Sequence, residues 1–139
     1  MTLSMQLCVS PQPSLQQAID TLIDCFGRHD TQGYFDCFHP EARFVFYTVP
    51  GEVLSKAAYR QRWRQWEQED GFRVLGCESI EPGLSEYGDC AVLSHRVRTR
   101  LCIQAGELLL DERESIVFAR QDDGRWLCIH EHLSAGEAP

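Results

Sequence analysis

Between Phe72 and Leu133 the chain writes out four runs in which apolar and polar residues alternate, and this stretch limits the fold more than any other feature. The runs are Phe72 to Ile80, Cys90 to Gln104, Leu108 to Arg120 and Arg125 to Leu133, parted by Pro82-Gly83, Gly88-Asp89, Ala105-Gly106 and Asp123-Gly124. A period of two marks strands with one buried face, and such short connections allow only antiparallel neighbours, so the second half of the chain reads as a meandering sheet.

The first half reads differently. Ser14 to Gln17 has the form of a capping box, and Leu15, Ala18, Ile19, Leu22 and Phe26 follow at helical spacing as far as about Arg28. Asp30 can cap a short helix through Tyr34, Phe35 and Phe38 that Pro40 ends. Ala42 to Thr48 is aromatic and β-branched enough for a strand, and Pro50-Gly51 turns it. A third helix starts at Ser55, carries Tyr59, Trp63 and Trp66 on one face, and stops at Gly71. The expectation is one α+β domain over residues 14–135, with tails at 1–13 and 136–139 and the helices covering one face of the sheet.

Hairpin register sorts the sheet's side chains. A two-residue loop at Asp123-Gly124 pairs Phe118 with Ile129, Ile116 with Glu131 and Ser115 with His132, while one at Ala105-Gly106 pairs Leu93 with Phe118, His95 with Ile116 and Val97 with Glu114. One face then holds Leu93, His95, Val97, Leu101, Ile116, Phe118, Leu127, Ile129 and Leu133, with Glu114 and Glu131 among them. The other holds Ser94, Arg96, Arg98, Arg113, Ser115, Val117, Trp126, Cys128, His130, His132 and Ser134, too aromatic and imidazole-rich for a plain solvated surface. The first set is expected in the core. The second is expected at a homodimer interface, centred on Trp126, His130, His132, Ser115 and Arg113.

Burying His95, Glu114 and Glu131 beside Leu, Ile and Phe is costly unless they pair with one another or with a ligand. A carboxyl in an apolar pocket is a general acid or base by virtue of its shifted pKa, and these three are the candidate catalytic groups. Tyr47, Tyr59, Trp63, Trp66, Ile116, Phe118 and Leu133 would wall the pocket. Core packing accounts for the same aromatic stripe without any ligand, and that alternative stands beside the first.

Composition narrows the partners. The 139 residues carry 13 Lys and Arg against 21 Asp and Glu, a net charge of −8, so nothing electrostatic favours nucleic acid. No window approaches the roughly 18 apolar residues of a membrane span, and MTLSMQLCVSPQPS lacks a leader's basic and apolar regions, which points to the cytoplasm. Seven scattered cysteines with no C-x-x-C pair read as reduced thiols. His130 and His132 project to one side about 6 to 7 Å apart, yet their neighbours Ser115, Ser134 and Arg113 complete no ligand set, so no metal is expected. No G-x-G-x-x-G, phosphate-binding loop or G-x-S-x-G is present, and no cofactor is expected.

The stretch DDGRWLCIHEHLS resembles the G-[KR]-W-x-x-[VI]-H-x-H-x-S pattern of the SnoaL-like branch of the nuclear-transport-factor-2-like superfamily, through Gly124, Arg125, Trp126, Ile129, His130, His132 and Ser134. FHPEARF at 38–44, DGFRV at 70–74 and Glu114-Ser115 support it. The resemblance implies a cystatin-like cone, a strongly curved antiparallel sheet wrapped around helices with an internal pocket, and dimerisation through the outer sheet face. Ketosteroid isomerases of this superfamily place a carboxylate base in the strand after the second helix, where this chain reads Ala42 to Thr48 without an acid, so that mechanism does not transfer. The cavity arginines of the association domain of calcium/calmodulin-dependent protein kinase II, of the same superfamily, are replaced by Val97, Ile116 and Leu133. What remains is a small-molecule-binding protein with buried acid and His groups, suited to isomerase-, cyclase- or dehydratase-like proton transfer on a small hydrophobic carbonyl compound. The alternative is a non-catalytic dimerisation or accessory module with a vestigial pocket, and the sequence leaves open whether the chain is an enzyme.

Overall fold

The computed structural model describes residues 13–136, so the N-terminal tail with Cys8 and the last three residues lie outside the described residues. Helix α1 spans Leu15–Gly27, and its cap is the expected reciprocal one: the Ser14 hydroxyl accepts from Gln17 N–H and the Gln17 side chain accepts from Ser14 N–H. Helix α2, Thr31–Asp36, is capped by Asp30 through Gly33 N–H at 3.1 Å and ends at Asp36, four residues short of Pro40. Pro40 sits instead inside strand β1, Phe38–Phe46, at an irregularity between Phe38 and Arg43 where its missing N–H costs no ladder bond. A two-residue strand β2, Leu54–Ser55, precedes helix α3, Lys56–Asp70. Ser55 caps α3 through Ala58 N–H, and Gly71 closes it in the left-handed region at φ 66°.

Strands β3 (Arg73–Tyr87), β4 (Cys90–Ile103), β5 (Gly106–Arg120) and β6 (Trp126–Ala135) complete a six-stranded sheet of order β2-β1-β6-β5-β4-β3. The sheet is mixed: β1 runs parallel to β6, a pairing that hairpin register alone does not reach. β3 also outruns its expected end. Pro82-Gly83 does not turn the chain but is absorbed by a bulge between Ile80 and Gly83, with Glu81 at φ 51°, and the strand continues to a tight turn at Gly88-Asp89.

The β4–β5 turn falls on Gln104-Ala105, so Leu93 pairs with Ile116, His95 with Glu114 and Val97 with Glu112, each two residues from the expected partner. An even shift leaves every side chain on its expected face. At the last hairpin Ile116 faces Glu131 and Ser115 faces His132 as expected, but a bulge between Val117 and Phe118 pairs Phe118 with Cys128 rather than Ile129. Trp126 and Cys128 therefore belong to the helix side and not to the outer surface: Cys128 is fully buried and Trp126 packs against the core, while Leu127, opposite Ala119, joins the outer set.

The core lies between α1, α3 and the inner sheet face. Phe35, Phe38, Phe44, Trp63, Leu93, Ile116, Phe118 and Cys128 are its most enclosed side chains. Trp63 is the hub, stacked on His29 and Tyr34 and edge-on to Phe35 and Phe72, with its indole N–H donated to Thr31 Oγ1. Among the described residues no helix is long and apolar enough to cross a membrane, and no group of three or more His, Cys, Asp or Glu is placed to hold a metal.

Candidate functional site

A cavity of about 150 Å³ lies between the inner sheet face and the helices. α1 contributes Leu22, Ile23 and Phe26, α3 contributes Tyr59, Trp63 and Trp66, and the sheet supplies Val97, Thr99, Leu101, Leu110 and Leu133. A cavity of this size and lining takes a benzene-sized molecule. Of the expected wall, Tyr59, Trp63, Trp66 and Leu133 are in place. Ile116 and Phe118 are instead sealed in the core, and Tyr47 stands off the wall, half exposed, donating its phenol to Glu112 Oε2 at 2.7 Å.

The three expected polar groups come together on the cavity side of β4, β5 and β6. Strand alternation puts His95 across from Glu114 on β4 and β5, and Glu131 diagonal to Glu114 on β6. His95 Nε2 donates to Glu114 Oε1 at 2.8 Å, and its Nδ1 lies 2.6 Å from Ser79 Oγ on β3. The side chain of His95 is 1% exposed and that of Glu114 13%. Glu131, 5% exposed, keeps Oε2 with no hydrogen-bond partner among the described residues.

The two carboxyls are driven apart in acidity. Burial first, then the charge of Glu114 and the hydrogen bond shared with it, push the Glu131 carboxyl well above the usual carboxylate range. Burial acts on Glu114 in the same direction, but hydrogen bonds from Glu131 and His95 and the pull of the imidazole outweigh it and hold Glu114 below that range. Of the two, Glu131 is the weaker acid, so a proton held by the pair resides preferentially on it. A third acid, Glu112, also faces the cavity, raised by burial although the Tyr47 hydroxyl opposes the shift. Tyr34 and Tyr59 bond to each other at 2.9 Å within the wall, and burial followed by the nearby Glu131 keeps both phenols neutral.

Sequence reading missed Glu112, Tyr34, Thr99, Cys77 and Ser79. Glu112 has a signal, since it lies two residues before Glu114 and shares its face, and Tyr34 reads from the sequence only as a residue of the short second helix. Ser79 had none, because its place opposite Val97 depends on a register that Pro82-Gly83 concealed. β1 sends Phe46 but no acid into the cavity. On the outer face Arg113 and His132 are exposed and Ser115 and His130 half-buried.

Two carboxyls of unequal acidity thus lie side by side in an apolar chamber, and the comparisons with known proteins agree with the architecture around them. Among solved structures the chain is similar to an NTF2-like protein of unknown function from Rhodospirillum rubrum, with 16% identity over 90% of this chain and 100% of that one at a TM-score of 0.76. It is also similar to the CaMKII hub of S. rosetta, with 15% identity, 92% and 98% covered and a TM-score of 0.70. The association domain of C. elegans CaMKII gives 17%, 87% and 92%, and 0.65. At such identities the likeness shows the fold alone, a curved, unclosed sheet around helices. No curated protein matches the chain. The SnoaL-like domain model matches residues 15–137, nearly the whole length, and the chain belongs to that family.

Proposed function

We propose that the chain binds a small, uncharged, mainly apolar molecule bearing a carbonyl, and that Glu131 and Glu114 move a proton on it. The observation that carries this reading is the buried Glu131 Oε2, left without a partner in a cavity whose other surfaces are apolar or internally bonded. An unsatisfied carboxyl oxygen in such a place costs free energy that a ligand's hydrogen bond recovers. Glu131 gives its proton to the carbonyl oxygen while the Glu114 carboxylate, tied to His95, takes one from the carbon beside the carbonyl; the ligand becomes its enol, and the proton passes back from Glu114 to Glu131 through the hydrogen bond they share. An anionic ligand is disfavoured, since Glu112, Glu114 and Glu131 line the cavity and, among the described residues, no arginine does.

The vestigial-pocket reading requires the aromatic residues to fill the chamber and arginines to neutralise the acids. Tyr59, Trp63 and Trp66 leave it open, and the acids bond to His95, to Tyr47 and to one another. The test is calorimetric titration with a panel of small cyclic ketones against wild type and Glu131→Gln. Binding by wild type that weakens at least about tenfold in the variant supports the reading; unchanged affinity removes Glu131 from the site.

Self-association is the second part of the proposal. Likeness to the hub and association domains favours an oligomer, and the outer sheet face with Arg113, Ser115, His130 and His132 is its proposed surface. The six described cysteines are all free thiols, which supports a reducing, cytoplasmic setting.

A further inference from the structure

One hydroxyl joins the buried network without a part in the proton exchange just described. Ser79 Oγ, His95 Nδ1, His95 Nε2 and Glu114 Oε1 are linked in series at 2.6 and 2.8 Å. Alcohol, imidazole and buried carboxylate in that order form the arrangement that activates a serine. With Nε2 bonded to Glu114, Nδ1 is the ring nitrogen turned toward the hydroxyl. The ring itself is 1% exposed and Glu114 13%, so the bond between them is largely shielded from water.

The surroundings fit a substrate as well. β3 is an edge strand of the sheet, and Ser79, half-buried, lines a surface crevice of about 500 Å³ between α1 and β3. Across from it stand Asp20, Asp24 and Gly27, and above Gly76 a Cβ would meet nothing within 4 Å, so the β3 side of the crevice is open. Ile23 and Cys77 line both the crevice and the apolar cavity, which places Ser79 at the seam between them. An apolar acyl chain seated in the cavity would bring its carbonyl to Ser79 and leave its alcohol portion in the crevice.

We infer that Ser79 is the nucleophile of an acyl-transfer activity on esters of small apolar carboxylic acids. Ser79 Oγ bonds to the acyl carbon while its proton passes to His95 Nδ1. The tetrahedral adduct then expels the alkoxide, which takes that proton and departs as the alcohol. Water attacks the acyl-serine, giving a proton to Nδ1; the carboxylic acid leaves and Ser79 recovers its proton from the ring. The sum is ester plus water to acid plus alcohol. This activity rests on the same cavity as the binding reading but goes beyond its proton exchange, and because it is tested at the serine itself the two can fail separately.

The experiment is treatment of the intact protein with diisopropyl fluorophosphate, followed by mass measurement and peptide mapping. A single adduct on Ser79 is expected, absent from Ser79→Ala and formed at least about 100-fold more slowly in His95→Gln, the contribution of a positioned general base. No adduct under conditions that saturate a known serine hydrolase, an adduct on other residues alone, or a wild-type rate in His95→Gln would each overturn the assignment. If His95→Gln does not fold, Glu114→Gln decides, and a wild-type rate there overturns it.

Discussion

Replacing Glu131 by Gln should make the protein more stable, by an amount that grows with pH. The folded carboxyl holds its proton above the ordinary value of 4.5, with burial as the main cause, so unfolding above that pH releases a proton that the native state kept. Stability of the wild type therefore falls as pH rises from about 4.5 to the folded value and levels off beyond it; the slope approaches 1.4 kcal/mol per pH unit, about one proton's worth. At 5% exposure little solvent screening reduces this figure. Gln has nearly the same shape, cannot ionise, and offers an amide donor to Glu114 in place of the acid proton. Glu114 has the opposite sign: its folded value is depressed, so its contribution is present above 4.5 and lost as pH falls through the folded value, below the window in question. Glu112 is raised like Glu131 but is present in both proteins and cancels in the difference. Urea unfolding of both proteins at half-unit steps from about pH 4.5 to about 8 gives that difference directly. It should start near zero and rise in favour of the variant toward about 1.4 kcal/mol per unit. A flat difference, or a variant increasingly less stable as pH rises, would mean that Glu131 is ionised and paired in the native state, and the acid–base assignment would fail.

Trp63→Ala removes the ring at the centre of the aromatic cluster, 1% exposed, together with the Thr31 bond. It should cost about 3 to 5 kcal/mol in chemical denaturation, and a loss under about 1 kcal/mol would contradict the cluster's role. His132→Ala, at an exposed outer-face position, should weaken self-association at least about fivefold by analytical ultracentrifugation with cavity binding unchanged; an unaltered assembly would discard the proposed surface.

The helices were legible because their signals are local. Ser14 with Gln17, Asp30 with Gly33, and Ser55 with Gly71 each mark an end through a hydrogen bond or a φ angle that a few neighbouring residues determine. The parallel β1–β6 pair was not, since no hairpin connects those strands and their partnership is settled by the core between them. Ser79 was out of reach for a related reason. Its partner His95 is 16 residues away, and the bulge that carries β3 past Pro82-Gly83 appears in the sequence as a turn.

The acid pair was found although the hairpin used to find it has a different shape, and the reason is arithmetic on the pleat. The loop holds Asp122, Asp123 and Gly124, one residue more than assumed, with Gln121 N–H bonded to Arg125 O and Gly124 at φ 90°. That extra residue lies on the connection, and Ile129 is a second extra residue, bulged out of β6 between Cys128 and His130. The two insertions cancel for every pair beyond the bulge, so Glu131 meets Ile116 and faces the cavity, while Trp126 and Cys128, on the near side, feel only the first and are turned inward. A parity argument along a strand is thus sound only between one irregularity and the next. The same argument identifies the element on which the site depends: drawing Ile129 into the ladder while the loop keeps its length would turn Glu131 to the outer face, where a carboxylate is solvated and has no reason to hold a proton.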